Sequence, residues 1–251
     1  MIAGAEAARI RRALDSVAGW VGEIIVVIND DVTDGTDQIA AACGAKVFRE
    51  PWKGHIAQKN SAAQKAAGDW LLGLDADEVV SPELRAEIQK IFSGAEQLKS
   101  CAAFSLPRCT FFGGRWIRHG DWYPDRKVRL WRRGQAHWGG VNPHDALIVN
   151  GRVGKLQHDL LHHSMESLDH QIRKAMAYAD DFARECAARN RRVSWWEIGL
   201  RPGWRFLRCF IFRLGFLDGL QGYVIARMTA FYTFLRYLKA RERQSQPGPR
   251  R

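Results

Sequence analysis

The chain is poor in disulfide chemistry, in long apolar runs and in acidic side chains. Its five cysteines (Cys43, Cys101, Cys109, Cys186 and Cys209) are odd in number and none forms a CxxC pair. Reduced thiols in a cytosolic protein explain that pattern best. No apolar stretch opens the sequence, so no secretory signal is expected. A spanning helix needs about 20 apolar residues. The most apolar segment, Trp204–Lys239, is broken by Arg205, Arg208, Arg213, Asp218 and Arg227. Its longest uncharged pieces, Gly219–Ala226 and Met228–Leu235, are too short to cross a bilayer. No HExxH motif is present, which argues against a zinc peptidase.

The shortage of acid leaves 38 Lys and Arg against 27 Asp and Glu, a net charge of +11 over 251 residues. Three partner classes fit such a charge: nucleic acid, an anionic membrane and phosphorylated substrates. The basic residues concentrate in Arg115–Arg133 and Arg184–Arg251, while the first hundred residues are nearly balanced. The partner is therefore expected to meet the second half. No DNA- or RNA-binding motif accompanies the charge, so nucleic acid is not the expected partner. Arginines interleaved with Phe, Trp and Tyr on amphipathic helices predict a segment lying in a membrane interface. A helical subdomain with solvated arginines is the plain alternative.

Periodicity predicts an α/β fold with a mostly parallel sheet. The spacing predicts helices over Glu6–Ala18, Thr36–Cys43, Ala57–Ala67 and Pro82–Phe92, with Ser81 as an N-cap. Apolar runs at Ile24–Ile28, Ala45–Phe48 and Trp70–Leu74 read as strands between them. In such sheets ligands bind beyond the carboxyl ends of the strands. Two polar clusters, Asn29–Asp34 and Asp75–Glu78, sit at those ends. From Ala102 to Gly154 the texture changes to short strands and aromatic loops, and from Leu168 onward it is helical.

Asp75-Ala76-Asp77-Glu78 places carboxylates at i and i+2 where a strand ends. They can converge on one hard divalent cation and neutralise a diphosphate leaving group, or form an acidic turn. His158 and His162 stand at i and i+4 on a possible helix, next to His163, a spacing that can bind zinc. Arg126, Arg129, Arg132 and Arg133 form a basic cluster whose forks suit phosphate.

The string Ala67-Gly68-Asp69-Trp70-Leu71-Leu72-Gly73-Leu74-Asp75-Ala76-Asp77-Glu78 resembles the metal-site segment of family 2 glycosyltransferases. Glu23–Val27 followed by Thr33-Asp34-Gly35-Thr36 is similar to their nucleotide-binding strand and loop. Pro51–Gly54, Gln58-Lys59-Asn60, Gly114–Gly120, Trp122–Asp125 and Gly215–Gly219 resemble the subgroup of lipopolysaccharide core glucosyltransferases. The resemblance runs from about Glu6 to Lys239.

It implies a GT-A fold and inverting transfer of a hexose such as glucose. The donor would be a UDP-sugar, assisted by a divalent metal (Mg or Mn). The acceptor would be a lipid-linked envelope saccharide, met on the inner face of the cytoplasmic membrane. By position, Asp77 is implied as the main metal ligand, with Asp75 near ribose and metal. Asp34 and Lys59 are implied beside the base and phosphates. Asn29 falls where the family has an aspartate touching the base. His144-Asp145 matches a His-Glu pair, which implies Asp145 as the base and His144 as its orienting or acceptor-contacting neighbour. His162 matches a family histidine, as a contact to the diphosphate or its metal or as a buried structural residue. Arg129 matches a family position and is implied near the donor.

The chain opens at Met1-Ile2, where the resembling enzymes carry a first strand and an Asn-Glu-Glu turn. Only Ala5-Glu6-Ala7 stands at the turn, so the first strand is expected to be missing. The expected organisation is a catalytic domain over residues 1–164, a basic helical extension over 165–243, and a disordered tail over 244–251. Two other readings stay open: a catalytically impaired, membrane-associated binding module, and a basic nucleic-acid-binding protein.

Overall fold

The computed structural model describes residues 1–94, 96–141, 144–163 and 168–245. In chain order the elements are β1 (Ile2–Ala3), α1 (Ile10–Asp15), β2 (Ile25–Asn29), α2 (Thr36–Ala42), β3 (Lys46–Glu50) and α3 (His55–Lys65). Then come β4 (Trp70–Leu72), β5 (Glu78–Val80), α4 (Pro82–Ser93), α5 (Glu96–Ser100), β6 (Ala103–Phe112) and β7 (Arg115–Ile117). They are followed by β8 (Asp125–Arg132), β9 (Ala136–Val141), β10 (His144–Val149), β11 (Val153–Lys155) and β12 (Leu160–His162). The helices α6 (Leu168–Ala188), α7 (Trp195–Leu207) and α8 (Gly219–Ser245) close the described chain. Two compact units result. The first joins Met1–Cys109 to Asp125–His163; the second takes Thr110–Pro124 and the helical region that follows.

The first unit carries the α/β architecture. Its parallel sheet has the order β1-β2-β3. Ile25–Ile28 is buried on both faces, as a β-branched run in a parallel sheet requires. It packs with Ile10, Leu14 and Ala40 from α1 and α2. A second, mixed sheet has the order β4-β8-β6-β12-β5, with β11 also paired to β6. Leu84 and Ile88 of α4 pack against Leu106, Leu156 and Leu160 on this sheet. Ser81 caps α4 as expected, its hydroxyl accepting from Leu84 N at 3.1 Å, with Pro82 in the first turn.

The structure corrects several expectations. The first strand is present but only two residues long: Ile2 and Ala3 pair in parallel with Val27 and Ile28. The Trp70–Leu72 strand pairs with β8, antiparallel, not with the parallel sheet. Between the start of β2 and β4 lies a cavity of about 1040 Å³, lined by Trp20, Ile24, Trp70, Leu72 and Leu98 among others. The first helix starts only at Ile10, because the backbone ahead of it is held elsewhere: Glu6 N donates to Thr36 Oγ1 (2.9 Å) and Ala7 N to Asp34 Oδ2 (3.0 Å). His158 and His162 do not share a helix face. His162 lies on a strand opposite Glu78, while His158 pairs with Glu87 at 2.9 Å.

In the second unit the end of β6 turns through Gly113 and Gly114, both at positive φ, and pairs with β7. Helices α6 and α7 pack on α8, with Ala183, Cys186, Val193, Tyr237 and Ala240 as one cluster. Among the described residues no single helix is long and apolar enough to cross a membrane. Asp218, nearly fully buried, accepts from Arg118 N (3.1 Å) and His119 N (2.8 Å) and pairs with His119 Nδ1 (3.1 Å). That gives the Gly215–Gly219 motif a structural role. Residues 246–251, most of the tail expected to be disordered, lie outside the described residues.

Removing a buried carboxylate that holds two backbone amides leaves them unsatisfied. Asp218→Ala is therefore expected to cost about 3 kcal/mol, read as a lower midpoint in urea denaturation, with Asp218→Asn losing less.

Candidate active site

The acidic run after β4 is folded around cations. Arg129 Nη2, on β8, donates to Asp75 Oδ2 and to Glu78 Oε1, both at 2.6 Å. Glu78 is fully buried; its other oxygen accepts from Asp75 N at 3.1 Å, and Arg108 Nη1 reaches Oε1 at 3.4 Å. On the opposite side Lys59 Nζ lies 3.3 Å from Asp75 Oδ1 and 2.8 Å from Asp145 Oδ2. One chain of charge thus runs Glu78–Arg129–Asp75–Lys59–Asp145. It joins α3, the β4–β5 turn, β8 and β10. Burial alone would raise the Asp75 carboxyl, but Arg129 and Lys59 outweigh it and hold it well below the usual carboxylate range. Burial works against the Arg129 charge too, and Asp75 and Glu78 overcome it, raising its pKa.

An indole forms one wall. Lys59 Nζ stands 4.5 Å from the centroid of the Trp138 ring, and the Arg129 guanidinium 5.7 Å from it. Trp138 is fixed twice over: its N–H donates to Asn60 Oδ1 (2.9 Å) and its carbonyl accepts from Asn60 Nδ2 (2.8 Å). Gly73 lets the strand end approach this wall, since a Cβ there would meet Trp131 at 3.0 Å and Trp138 at 3.3 Å.

Asp77 and His162 form a second pair, Nε2 to Oδ2 at 3.3 Å. His162 outweighs burial there and lowers the Asp77 carboxyl. Among the described residues no three His, Cys, Asp or Glu side chains converge on a common metal position. Asp75 is turned to Arg129 and Lys59. A carboxylate and an imidazole side by side still fit a cation that takes its other ligands from a diphosphate and water, the usual mode for Mg²⁺.

The remaining expected residues separate. Asn29 ends β2, and its buried Oδ1 has no hydrogen-bond partner. Gln58 on α3, which packs beside β2, is fully buried with both amide atoms unpartnered. Unsatisfied buried amides of this kind call for a ligand or water. Asp34 is spent on local structure: its carboxylate accepts from Thr36 N (3.0 Å), Thr36 Oγ1 (2.5 Å) and Ala7 N (3.0 Å). Arg129 has its fork buried between two carboxylates, Asp75 and Glu78. Its expected neighbours also diverge, Arg126 to the Ser105 and Leu156 carbonyls, Arg132 to the Leu98 carbonyl and Arg133 toward Asp69. His144 is placed by its backbone, opposite Val141 on the β9–β10 hairpin; its side chain, and Asn142–Pro143 beside it, lie outside the described residues.

The model of the family described as "Glycosyl transferase family 2" matches residues 1–149. The chain belongs to glycosyl transferase family 2. An uncharacterized glycosyltransferase of Rickettsia typhi is 32% identical over 246 residues, covering 94% of this chain and 84% of its own length. The lipopolysaccharide core biosynthesis glycosyltransferase LpsC of Rhizobium meliloti is 27% identical over 229 residues, covering 88% and 83%. Among solved structures, that of S. aureus TarS 1-349 in complex with UDP-GlcNAc is similar with a TM-score of 0.51 at 13% identity, covering 98% of this chain and 91% of that one. It shows the fold, GT-A.

Within this family 2 glycosyltransferase, Glu78, Arg108, Trp138 and Asn60 were not singled out from sequence as site residues. Glu78 was adjacent to the acidic pair, and its place in an otherwise buried β5 was the available signal. The chemical capacity is that of an acidic strand end beside a lysine-held carboxylate.

Because its folded pKa is depressed, Asp75 contributes stability above the ordinary carboxylate range near about 4 and loses it as pH falls below that. Urea denaturation from neutral pH downward should show stability falling steeply on the acid side. Asp75→Asn should be less stable at neutral pH by about 2 kcal/mol and show a shallower acid slope.

Proposed function

We propose that this chain is an inverting hexosyltransferase. It moves a hexose such as glucose from a UDP-sugar to a lipid-linked envelope saccharide of the lipopolysaccharide core type, on the inner face of the cytoplasmic membrane. The observation that carries the reading is the link Asp75–Lys59–Asp145, which sets a carboxylate on β10 beside the acidic strand end. The similarity to LpsC, a lipopolysaccharide core biosynthesis glycosyltransferase, supports the acceptor class.

In the proposed reaction the acceptor hydroxyl attacks the anomeric carbon from the side opposite the diphosphate. The new carbon–oxygen bond forms as the carbon–phosphate-oxygen bond breaks, and its electron pair leaves with the diphosphate. Asp145 takes the hydroxyl proton. Lys59 holds Asp145 through Oδ2, which fixes the carboxylate for that transfer. The unpartnered Asn29 Oδ1 and Gln58 amide supply hydrogen-bonding atoms of the kind a nucleotide base or ribose would use. Asp77 and His162 would hold a divalent cation, which supplies charge neutralisation for the departing diphosphate.

Calorimetric titration with UDP, with and without Mn²⁺, tests the donor site. Metal-dependent binding is expected in the wild type, weakened about tenfold or more in Asp77→Asn. Equal binding by both proteins would sink the role of Asp77. Asp145→Asn should keep UDP affinity and lose about 10²-fold or more in turnover; full turnover would remove Asp145 from the chemistry.

A further inference from the structure

The second unit leaves one face of α7 without a partner. Trp196, Leu200, Trp204, Leu207 and Ile211 recur every three or four residues from α7 into the short π-helical turn Arg208–Phe212. That spacing puts them on one stripe. They are 55%, 65%, 56%, 46% and 46% exposed. The opposite face of the same helix is used: Ile198 packs with the Tyr237 cluster, and Phe206 and Cys209 pack with Ile225 and Ala226. The apolar surface continues past the bend to Leu220, 71% exposed. Isolated apolar side chains on a surface need no explanation; a continuous stripe with two tryptophans does.

The charge beside the stripe is one-sided. Between residues 189 and 227 there are eight arginines and only two carboxylates, Glu197 and Asp218. Both carboxylates are already paired within the unit, Glu197 with Arg191 (2.8 Å) and Arg201 (3.0 Å), Asp218 with His119. Arg205, Arg208 and Arg213 converge on the single carboxylate of Asp121, at 2.8, 2.7 and 3.2 Å. Three guanidinium groups on one carboxylate leave an excess of two positive charges, and all three are more than a third exposed.

We infer that this face docks on an anionic lipid bilayer, the tryptophans and leucines entering the headgroup boundary and the arginines meeting lipid phosphates. The combination of apolar stripe, aromatic rings and flanking arginine is the one an interface rewards. A second copy of the chain fits poorly, because closing two such stripes on each other would bring arginine rows of like charge together. The docking surface deepens the proposed membrane-linked acceptor and gives that reading a place on the protein, but its geometry needs neither donor nor acceptor.

The test is flotation of the full chain with vesicles, with no nucleotide present. Vesicles of phosphatidylcholine mixed with phosphatidylglycerol are expected to carry the protein; vesicles of phosphatidylcholine alone carry far less, and added salt releases it. The double variant W196E/W204E is expected to bind about tenfold or more weakly, with an unchanged circular dichroism spectrum and unchanged UDP titration. L220E, at a different exposed site, should weaken binding in the same direction. Alkaline carbonate should strip the wild type from the vesicles. Failure to float with anionic vesicles, equal flotation of W196E/W204E, indifference to lipid charge, or retention after carbonate would each overturn surface docking. So would a dimer on gel filtration that W196E/W204E converts to monomer while vesicles leave it unbound. A protein that floats but binds no UDP keeps this inference and loses the proposed reaction; one that binds UDP but does not float does the reverse.

Discussion

A buried guanidinium sets the terms for the first unit. Arg129 sits on a central strand with almost no access to water, and a charge in that position is tolerated only if its partners are close and correctly aimed. Glu78 and Asp75 supply them from the turn beyond β4. The requirement propagates outward. Asp75 N must reach Glu78 to close the turn, Gly73 must be bare so the strand end can press against two indoles, and Lys59 must balance the far side of Asp75. Asp145 is the last member of this series, held by Lys59 on the side away from Asp75. A carboxylate held at the end of such a series of ion pairs takes its orientation from the sheet and helix that carry its partners.

The two units solve opposite problems with the same residue types. In the first, the buried arginine Arg129 is held between two carboxylates, and charge is used to fix geometry inside the protein. In the second, arginine outnumbers acid, Glu197, Asp218 and Asp121 are paired within the unit, and the surplus is left at the surface next to exposed indoles. The net charge of the chain is therefore not a diffuse property. It is produced where apolar side chains are also left uncovered.

The sequence made the fold class legible because each parallel strand is short, β-branched and flanked by a helical repeat, and because Ser81-Pro82 marks a helix start by its own chemistry. It made the acidic strand end legible for the same local reason. What it hid was pairing at a distance. Arg129 meets Glu78 across 51 positions and Asp75 across 54, and nothing in the Arg126–Arg133 string distinguishes the inward arginine from its outward neighbours except strand alternation. His162 was readable as helix or strand, since a short apolar run carries no decisive period; its pairing with β5 decided the matter. The hydrogen bonds that Asp34 accepts from Thr36 and Ala7 depend on where the Ala7 amide arrives, which local sequence does not carry. The excursion Thr110–Pro124 belongs with the helical unit through Asp218 and Asp121, contacts that bridge about a hundred residues of sequence.

The bend between α7 and α8 is made of backbone. The segments Trp195–Phe212 and Gly215–Gln244 meet at 72°. Leu214 at the corner adopts the left-handed region at φ 56°, a Cβ on Gly215 would lie 2.7 Å from the Cys209 carbonyl oxygen, and a Cβ on Gly222 would run into the Gly215 carbonyl. An angle held by main chain against main chain has no rotamer to adjust. The tilt between the two helices is therefore a fixed value: a side chain at either glycine would have to open the corner before it changed anything on the surface the helices carry.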